Sequence, residues 1–181
     1  AKSSFFCPQT SFKRLLEGVF LVIMNGAEAM VKCLEEEGVT RIFGYPGVAI
    51  SPFYEALYNA GTIEHVLVRQ EQAAGHAASG YARISRKAAV CVTSSGPGAT
   101  NLITALATAY ADSIPLIAIT GQVNSNLLGR DVFQEADMRG STESFVKYSY
   151  LVKSADDIPR IFKEAFYIAS TGRKGPVLID I

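Results

Sequence analysis

Arg69-Gln70-Glu71-Gln72-Ala73-Ala74-Gly75-His76-Ala77-Ala78-Ser79-Gly80-Tyr81-Ala82-Arg83 is the stretch whose reading decides the fold. It follows a strand-like run, Glu64 to Val68, and reads as a helix opening at Glu71. An acid at a strand-to-helix junction stands where an open α/β sheet presents groups to a ligand. One side of this helix is nearly bare, with Ala73, Ala74, Gly75, Ala77, Ala78 and Gly80. A mid-helix glycine costs roughly 1 kcal/mol against alanine. Two of them predict close backbone approach by something large.

Working outward, the same rhythm recurs. Asn25 caps a helix from Gly26 to Glu37, striped by Ala27, Met30, Val31 and Leu34 and ended by Gly38. Arg41 to Gly44 is a strand, and Tyr45-Pro46-Gly47 a turn. Ser51-Pro52 reads as N-cap and first residue of a second helix that ends near Gly61. After the central helix, Ala88 to Thr93 and Pro115 to Thr120 are continuously apolar, as strands buried on both faces are. Between them, Ser94 to Asn101 is a glycine-rich turn into a helix predicted over Ala99 to Ala111. Gly121 to Thr142 reads as a long polar loop, and such loops in compact domains are commonly functional. Lys147 to Lys153 is a fifth strand, Asp156 to Ser170 a helix, and Pro176 to Ile181 a sixth strand. The fold class is therefore α/β: three layers, with a mainly parallel six-stranded sheet and helices on both faces.

Composition narrows the function. The 181 residues suffice for one such domain, and 17 basic against 17 acidic residues leave no electrostatic footprint for nucleic acid. No apolar run approaches the roughly 20 residues that span a membrane. Cys7, Cys33 and Cys91 show no metal-ligand spacing and read as reduced thiols of a cytoplasmic protein. His65 and His76 form no ligand pattern, so no metal site is expected. Residues 1–23 differ in style from the rest and read as an extension, tag remnant or other added segment, with Met24 a plausible natural start. The stop at Asp180-Ile181, inside a strand pattern, suggests a cut chain.

The turns after the strands carry the chemistry. Gly96-Pro97-Gly98 invites a phosphate-loop reading, but Asn101 stands where a dinucleotide fingerprint needs its third glycine, and no Gly-Lys-Ser/Thr follows. Tyr45-Pro46-Gly47, Glu71, the Gly96 turn and the Gly121 loop should share one rim of the sheet. One acid, several backbone turns and few cations suit an uncharged heteroaromatic ring better than a phosphate.

Four motifs carry a resemblance over residues 24–181. They are Phe43-Gly44-Tyr45-Pro46-Gly47, Arg69 to His76, Ser95-Gly96-Pro97-Gly98-Ala99-Thr100-Asn101, and Phe133-Gln134-Glu135-Ala136-Asp137. In order and spacing they resemble the N-terminal, pyrimidine-binding domain of thiamine-diphosphate enzymes, and the last is similar to the acetolactate (acetohydroxyacid) synthase branch. The resemblance implies an enzyme that condenses pyruvate with a second 2-keto acid, losing CO2, in branched-chain amino acid biosynthesis. It implies that Glu71 is catalytic, hydrogen-bonding N1′ of the cofactor's aminopyrimidine ring. Gln134 would be a catalytic residue reaching substrate, with Phe133 beside it. Tyr45, Pro46, Gly47, Pro97 and Asn101 would surround the cofactor, and Val48, Ala49 and Val123 would line the substrate channel. Arg173 would contact FAD, which many synthases retain.

The family also binds thiamine diphosphate with Mg2+ through a Gly-Asp-Gly to Asn motif in another domain, and that motif does not occur in this chain. The chain is thus expected to be inactive alone. Such domains pair, which implies a homodimer or higher homo-oligomer through the Glu71–Arg83 helix, and the branch implies a small regulatory subunit. Val48 stands where the family often has Gly or Ala, and Asn124 where it often has Pro, so substrate preference and inhibitor sensitivity are not carried over. The alternatives are another thiamine-diphosphate decarboxylase, oxidase or carboligase, and a non-catalytic assembly domain of the same fold.

Overall fold

The structure, a computed structural model, describes residues 12–14 and 22–181. Phe12–Arg14 (β1) pairs antiparallel with Val22–Met24 (β2). Cys7 and the rest of the 1–23 segment, read as an extension, lie outside the described residues.

The main sheet has six strands, all parallel: β3 (Arg41–Gly44), β4 (Glu64–Leu67), β5 (Ala89–Thr93), β6 (Leu116–Thr120), β7 (Tyr148–Leu151) and β8 (Pro176–Asp180). Their spatial order is β4-β3-β5-β6-β8-β7. Every residue of β5, β6 and β8 is buried, which is why these segments are apolar without alternation. Helices α1 (Gly26–Glu36), α2 (Ser51–Ala60) and α7 (Ile158–Ser170) cover one face, meeting Ile42, Val90, Val92, Ile117, Ile119, Val177 and Ile179. Helices α3 (Glu71–Ser85), α4 (Pro97–Thr100), α5 (Ile103–Ala111) and α6 (Met138–Thr142) lie on the side of Phe43, Cys91, Leu116, Ala118 and Leu178. The three-layer α/β expectation holds.

Local signals set the ends. Asn25 forms a full capping box with Glu28: its side chain accepts from Glu28 N, and Glu28 returns the bond to Asn25 N. Gly61 closes α2 in the left-handed conformation.

Four details differ from expectation. Val48–Ile50 is a tight 3-10 turn, so Ile50 is the cap of α2 and Ser51 already belongs to the helix, its hydroxyl donating to Val48 O. The helix expected over Ala99–Ala111 is broken, because α4 starts early at Pro97 and stops at Thr100 before α5 resumes at Ile103. The end of the long loop folds as α6, capped by the Asp137 side chain on Gly140 N. The bare side of α3 is partly consumed within the chain. Ala74, Gly75, Ala78 and Ala82 are buried, and a side-chain carbon at Gly75 would lie 2.5 Å from Ala105 Cβ of α5. The close approach that Gly75 serves is to its own neighbouring helix. At Gly80 an added carbon would meet nothing.

Candidate active site

The strand order reverses between β3 and β5, since β4 lies outside β3 and the chain then crosses to β5. A crevice at the carboxyl ends of strands opens at such a point. The turns expected to share one rim do meet there. Tyr45 N donates to Val92 O at 3.2 Å, tying the end of β3 to β5. Gly47 lies against Ser94, and Gly121 against Ala49, whose carbonyl carbon is 3.1 Å from the position of an added side-chain carbon.

Glu71 is the first residue of α3 and is half-buried. Its Oε2 accepts from Asn101 Nδ2 at 2.9 Å. Its Oε1 lies over Gly98, 3.4 Å from where a side chain there would begin. Asn101 is the residue after α4, at the short junction with α5 where the chain keeps helical dihedrals. The break that sequence periodicity missed falls at the acid's partner. A carboxylate against the Gly96–Gly98 turn opposes an anion there, and α4 is a single turn, so the phosphate reading loses its support.

The long loop reaches the same rim. Gln134 has φ of +64°, uncommon for a non-glycine residue, and its backbone rests on Gly96. A side-chain carbon at Gly96 would lie 2.9 Å from Gln134 Cα and O. Phe133 is 88% exposed beside it, as is Val48 at 88% on the opposite turn. Tyr45 and Pro46 are exposed, and Val123 is half-buried with its N–H donating to Gln122 Oε1. Pro97 opens α4 and faces solvent. Tyr45, Pro46, Gly47, Val48, Ala49, Glu71, Pro97, Asn101, Val123, Phe133 and Gln134 thus belong to one end of the sheet.

Arg173 does not join them. It lies in the turn before β8, at the amino end of the strands, where its guanidinium donates to Ser113 Oγ and Tyr110 O, both at 3.0 Å, and lies over the Tyr110 ring.

Two acids at the rim were not singled out as site residues by sequence reasoning. Glu135 accepts from the backbone N–H groups of Gly129 and Val132, which hold its carboxyl below the usual range and knot the loop around it. Asp180 is buried at the end of β8, accepts from Thr120 and Gln122, and is pushed up to about 6, chiefly by burial. Asp137 adds a smaller push in the same direction. Glu135 lies inside the Phe133–Asp137 motif, but its grip on Gly129 and Val132 shows only in the loop's path; no local pattern marks Asp180, whose partners are set by strand pairing.

The Asp180 shift has a stability consequence with a definite sign. A carboxyl raised above its ordinary value is held more tightly by the folded chain, so its contribution is full below about pH 4 and fades as pH rises through about 6. Asp180→Asn is expected to remove roughly 3 kcal/mol of this pH dependence between about pH 4 and pH 7. Denaturant unfolding of this chain and the variant across that range checks it; equal slopes would refute the buried-charge account.

His65 Nε2 lies 3.2 Å from Gly44 O and its ring packs on Tyr54, with burial lowering its pKa. Cys33 and Cys91 are buried, and burial pushes the Cys91 thiol up to about 12. Among the described residues no group of three His, Cys, Asp or Glu side chains could hold a metal ion. Also among the described residues, no helix is long and apolar enough to cross a membrane.

The acid thus stands at the switch-point rim of a parallel sheet, held by an amide and faced by backbone turns, where open α/β domains bind ligands. Residues 24–141 match the family described as "Thiamine pyrophosphate enzyme, N-terminal TPP binding domain", and the chain belongs to that family. Among curated proteins it is 56% identical over 158 residues to "Acetolactate synthase large subunit" of Haemophilus influenzae, covering 87% of this chain and 28% of that one. It is 55% identical over 163 residues to "Acetolactate synthase" of Mycobacterium bovis, covering 90% and 26%. "Probable acetolactate synthase large subunit" of Methanocaldococcus jannaschii is 57% identical over 158 residues, covering 87% and 27%. The chain spans a little over a quarter of the length of these relatives.

Proposed function

We propose that this chain is the cofactor-activating domain of an acetolactate synthase, condensing pyruvate with pyruvate or 2-ketobutyrate with loss of CO2 in branched-chain amino acid biosynthesis. The observation that carries the reading is Glu71 at the switch-point rim, with Oε2 held by Asn101 and Oε1 over Gly98. That donor set fits an aminopyrimidine: one carboxyl to share a proton with a ring nitrogen, and no cationic cradle. Thiamine diphosphate, when bound, supplies the electron sink for decarboxylation and carbon–carbon bond formation. Glu71 holds or gives the proton at the ring N1′. Asn101 fixes the carboxyl's orientation, and Tyr45, Pro46, Gly47 and Pro97 flank the ring. Gln134 and Phe133 face the substrate from the long loop, with Val48, Ala49 and Val123 lining its approach.

Residues 24–181 are the pyrimidine-binding domain, and 1–23 are a separate segment outside the family match. Mg2+ and the diphosphate are held by a domain outside this chain. The Glu71–Arg83 helix forms the homodimer contact; the support is its unpartnered outer stripe of Ala73, His76, Gly80 and Ile84, the last 87% exposed. Arg173 serves a flavin away from the reacting rim, and a small regulatory subunit binds the assembled enzyme. The protein works in the cytoplasm, in keeping with the free thiol at Cys91.

Product analysis of the full-length subunit with pyruvate, thiamine diphosphate and Mg2+ tests the reading. Acetolactate supports it. Acetaldehyde or acetyl phosphate moves the protein to a sister decarboxylase or oxidase, and no cofactor-dependent product returns it to a non-catalytic assembly domain. The 181-residue chain alone is expected to show no turnover, and measurable turnover from it would overturn the shared-site account.

A further inference from the structure

One buried acid has no part in the chemistry above. Asp180 is 1% exposed, and among the described residues no cation pairs with it. Its Oδ1 accepts from Thr120 Oγ1 at 2.7 Å and its Oδ2 from Gln122 Nε2 at 2.9 Å. Buried carboxylates ordinarily have a cation or several strong donors, because their desolvation is costly. Two neutral donors are thin cover, so the position serves something other than stability.

Gln122 shows what that is. Its Nε2 also donates to Ala136 O at 3.0 Å, and its Oε1 accepts from Val123 N at 2.9 Å. Its own backbone N–H donates to Ile181 O at 2.7 Å. One side chain thus joins the point where the loop leaves β6 to the point where it returns before α6. Everything between, including Phe133 and Gln134, hangs from that closure. An amide side chain can point either way, and reversed it would set its oxygen against Ala136 O. A carboxylate accepts and never donates, so Asp180 selects the orientation that closes the loop. The loop needs such a tie, because Asp131 and Gln134 both hold positive φ, +53° and +64°, and strained backbone persists only where its surroundings over-determine it.

We propose that Asp180 and Gln122 form a buried lock that closes the 121–137 loop and so presents Gln134 above Gly96. Asp180 is then a positioning residue for the reaction proposed above, and the role rests on that reading.

The test uses the full-length subunit and its Gln122→Met, Asp180→Ala and Asp180→Asn variants. The loop is read by the rate of tryptic cleavage after Arg130, which tracks opening when cleavage is slower than closing. The reaction is read by KM and kcat for pyruvate. Gln122→Met and Asp180→Ala should speed cleavage about tenfold or more and lower kcat/KM by a similar factor. Asp180→Asn, whose amide can donate as well as accept, no longer selects the Gln122 orientation and should speed cleavage too, by less than Asp180→Ala; cleavage as slow as the parent's in Asp180→Asn would overturn the selection by charge. Parent-like cleavage in Gln122→Met would overturn the lock. Faster cleavage with unchanged kcat/KM would overturn the positioning role. If Asp180→Ala does not fold, Gln122→Met decides, since Gln122 is only partly buried. A parent that makes no acetolactate defeats the functional reading, while the cleavage rates still decide the lock.

Discussion

Glu71→Gln in the full-length subunit is expected to lower acetolactate formation by ~10²–10⁴-fold, the range for losing a positioned proton-transfer group. The substitution keeps size and shape. The Gln oxygen can still accept from Asn101 Nδ2, so the 2.9 Å bond that fixes the side chain survives. What is lost is the carboxyl's capacity to give and retake a proton at a ring nitrogen. Stability should change by less than about 0.5 kcal/mol, because Glu71 is half-buried and crosses no core contact. The checks are steady-state product formation and the exchange of the cofactor's C2 proton with deuterated solvent. Turnover near that of the parent would remove Glu71 from the chemistry.

Gly96→Ala should be the most damaging single change away from that acid. Gly96 has φ of +58° with ψ of −124°, a conformation that residues with a side chain rarely adopt. The added carbon would also stand 2.9 Å from Gln134 Cα and O. These are backbone atoms of a tied loop, so no side-chain rotation relieves the clash. A loss of about 2–4 kcal/mol follows from strain and overpacking together, unless the loop lifts away and takes Gln134 with it. Denaturant unfolding reads the first outcome and tryptic cleavage after Arg130 the second. Unchanged results in both would show that Gly96 and Gln134 are not in contact.

The sheet was legible in the sequence because β5, β6 and β8 are buried on both faces and say so in unbroken apolar runs. Glu71 was legible because its junction position and the motif around it agree. The breaks were not. Ala99 to Ala111 carries helical periodicity throughout, and the break between α4 and α5 at Asn101 and Leu102, whose dihedrals stay helical, leaves no mark in that pattern. The purpose of Gly75 was legible only in part: the demand for close approach was visible, but its partner Ala105 lies 30 residues on, and no local pattern names it. Asp180 is the extreme case. Its partners are Thr120 and Gln122, about 60 residues away, and its role exists only once β6 and β8 are side by side.

That adjacency bears on the order in which the molecule is made. β8 inserts between β6 and β7, and among the described strands β7 pairs with β8 alone. During synthesis β7 therefore waits unpaired until the last strand of the sheet emerges, with Tyr148 and its neighbours awaiting a partner. Contacts so distant in sequence form slowly, since the connecting chain must be ordered first. The rim's acid on α3 and its amide, just after α4, can meet while β7 and β8 are still absent. The loop that carries Gln134 cannot close until Asp180 arrives. The two halves of this rim therefore form at different times, the Glu71–Asn101 half first and the Gln134 half last.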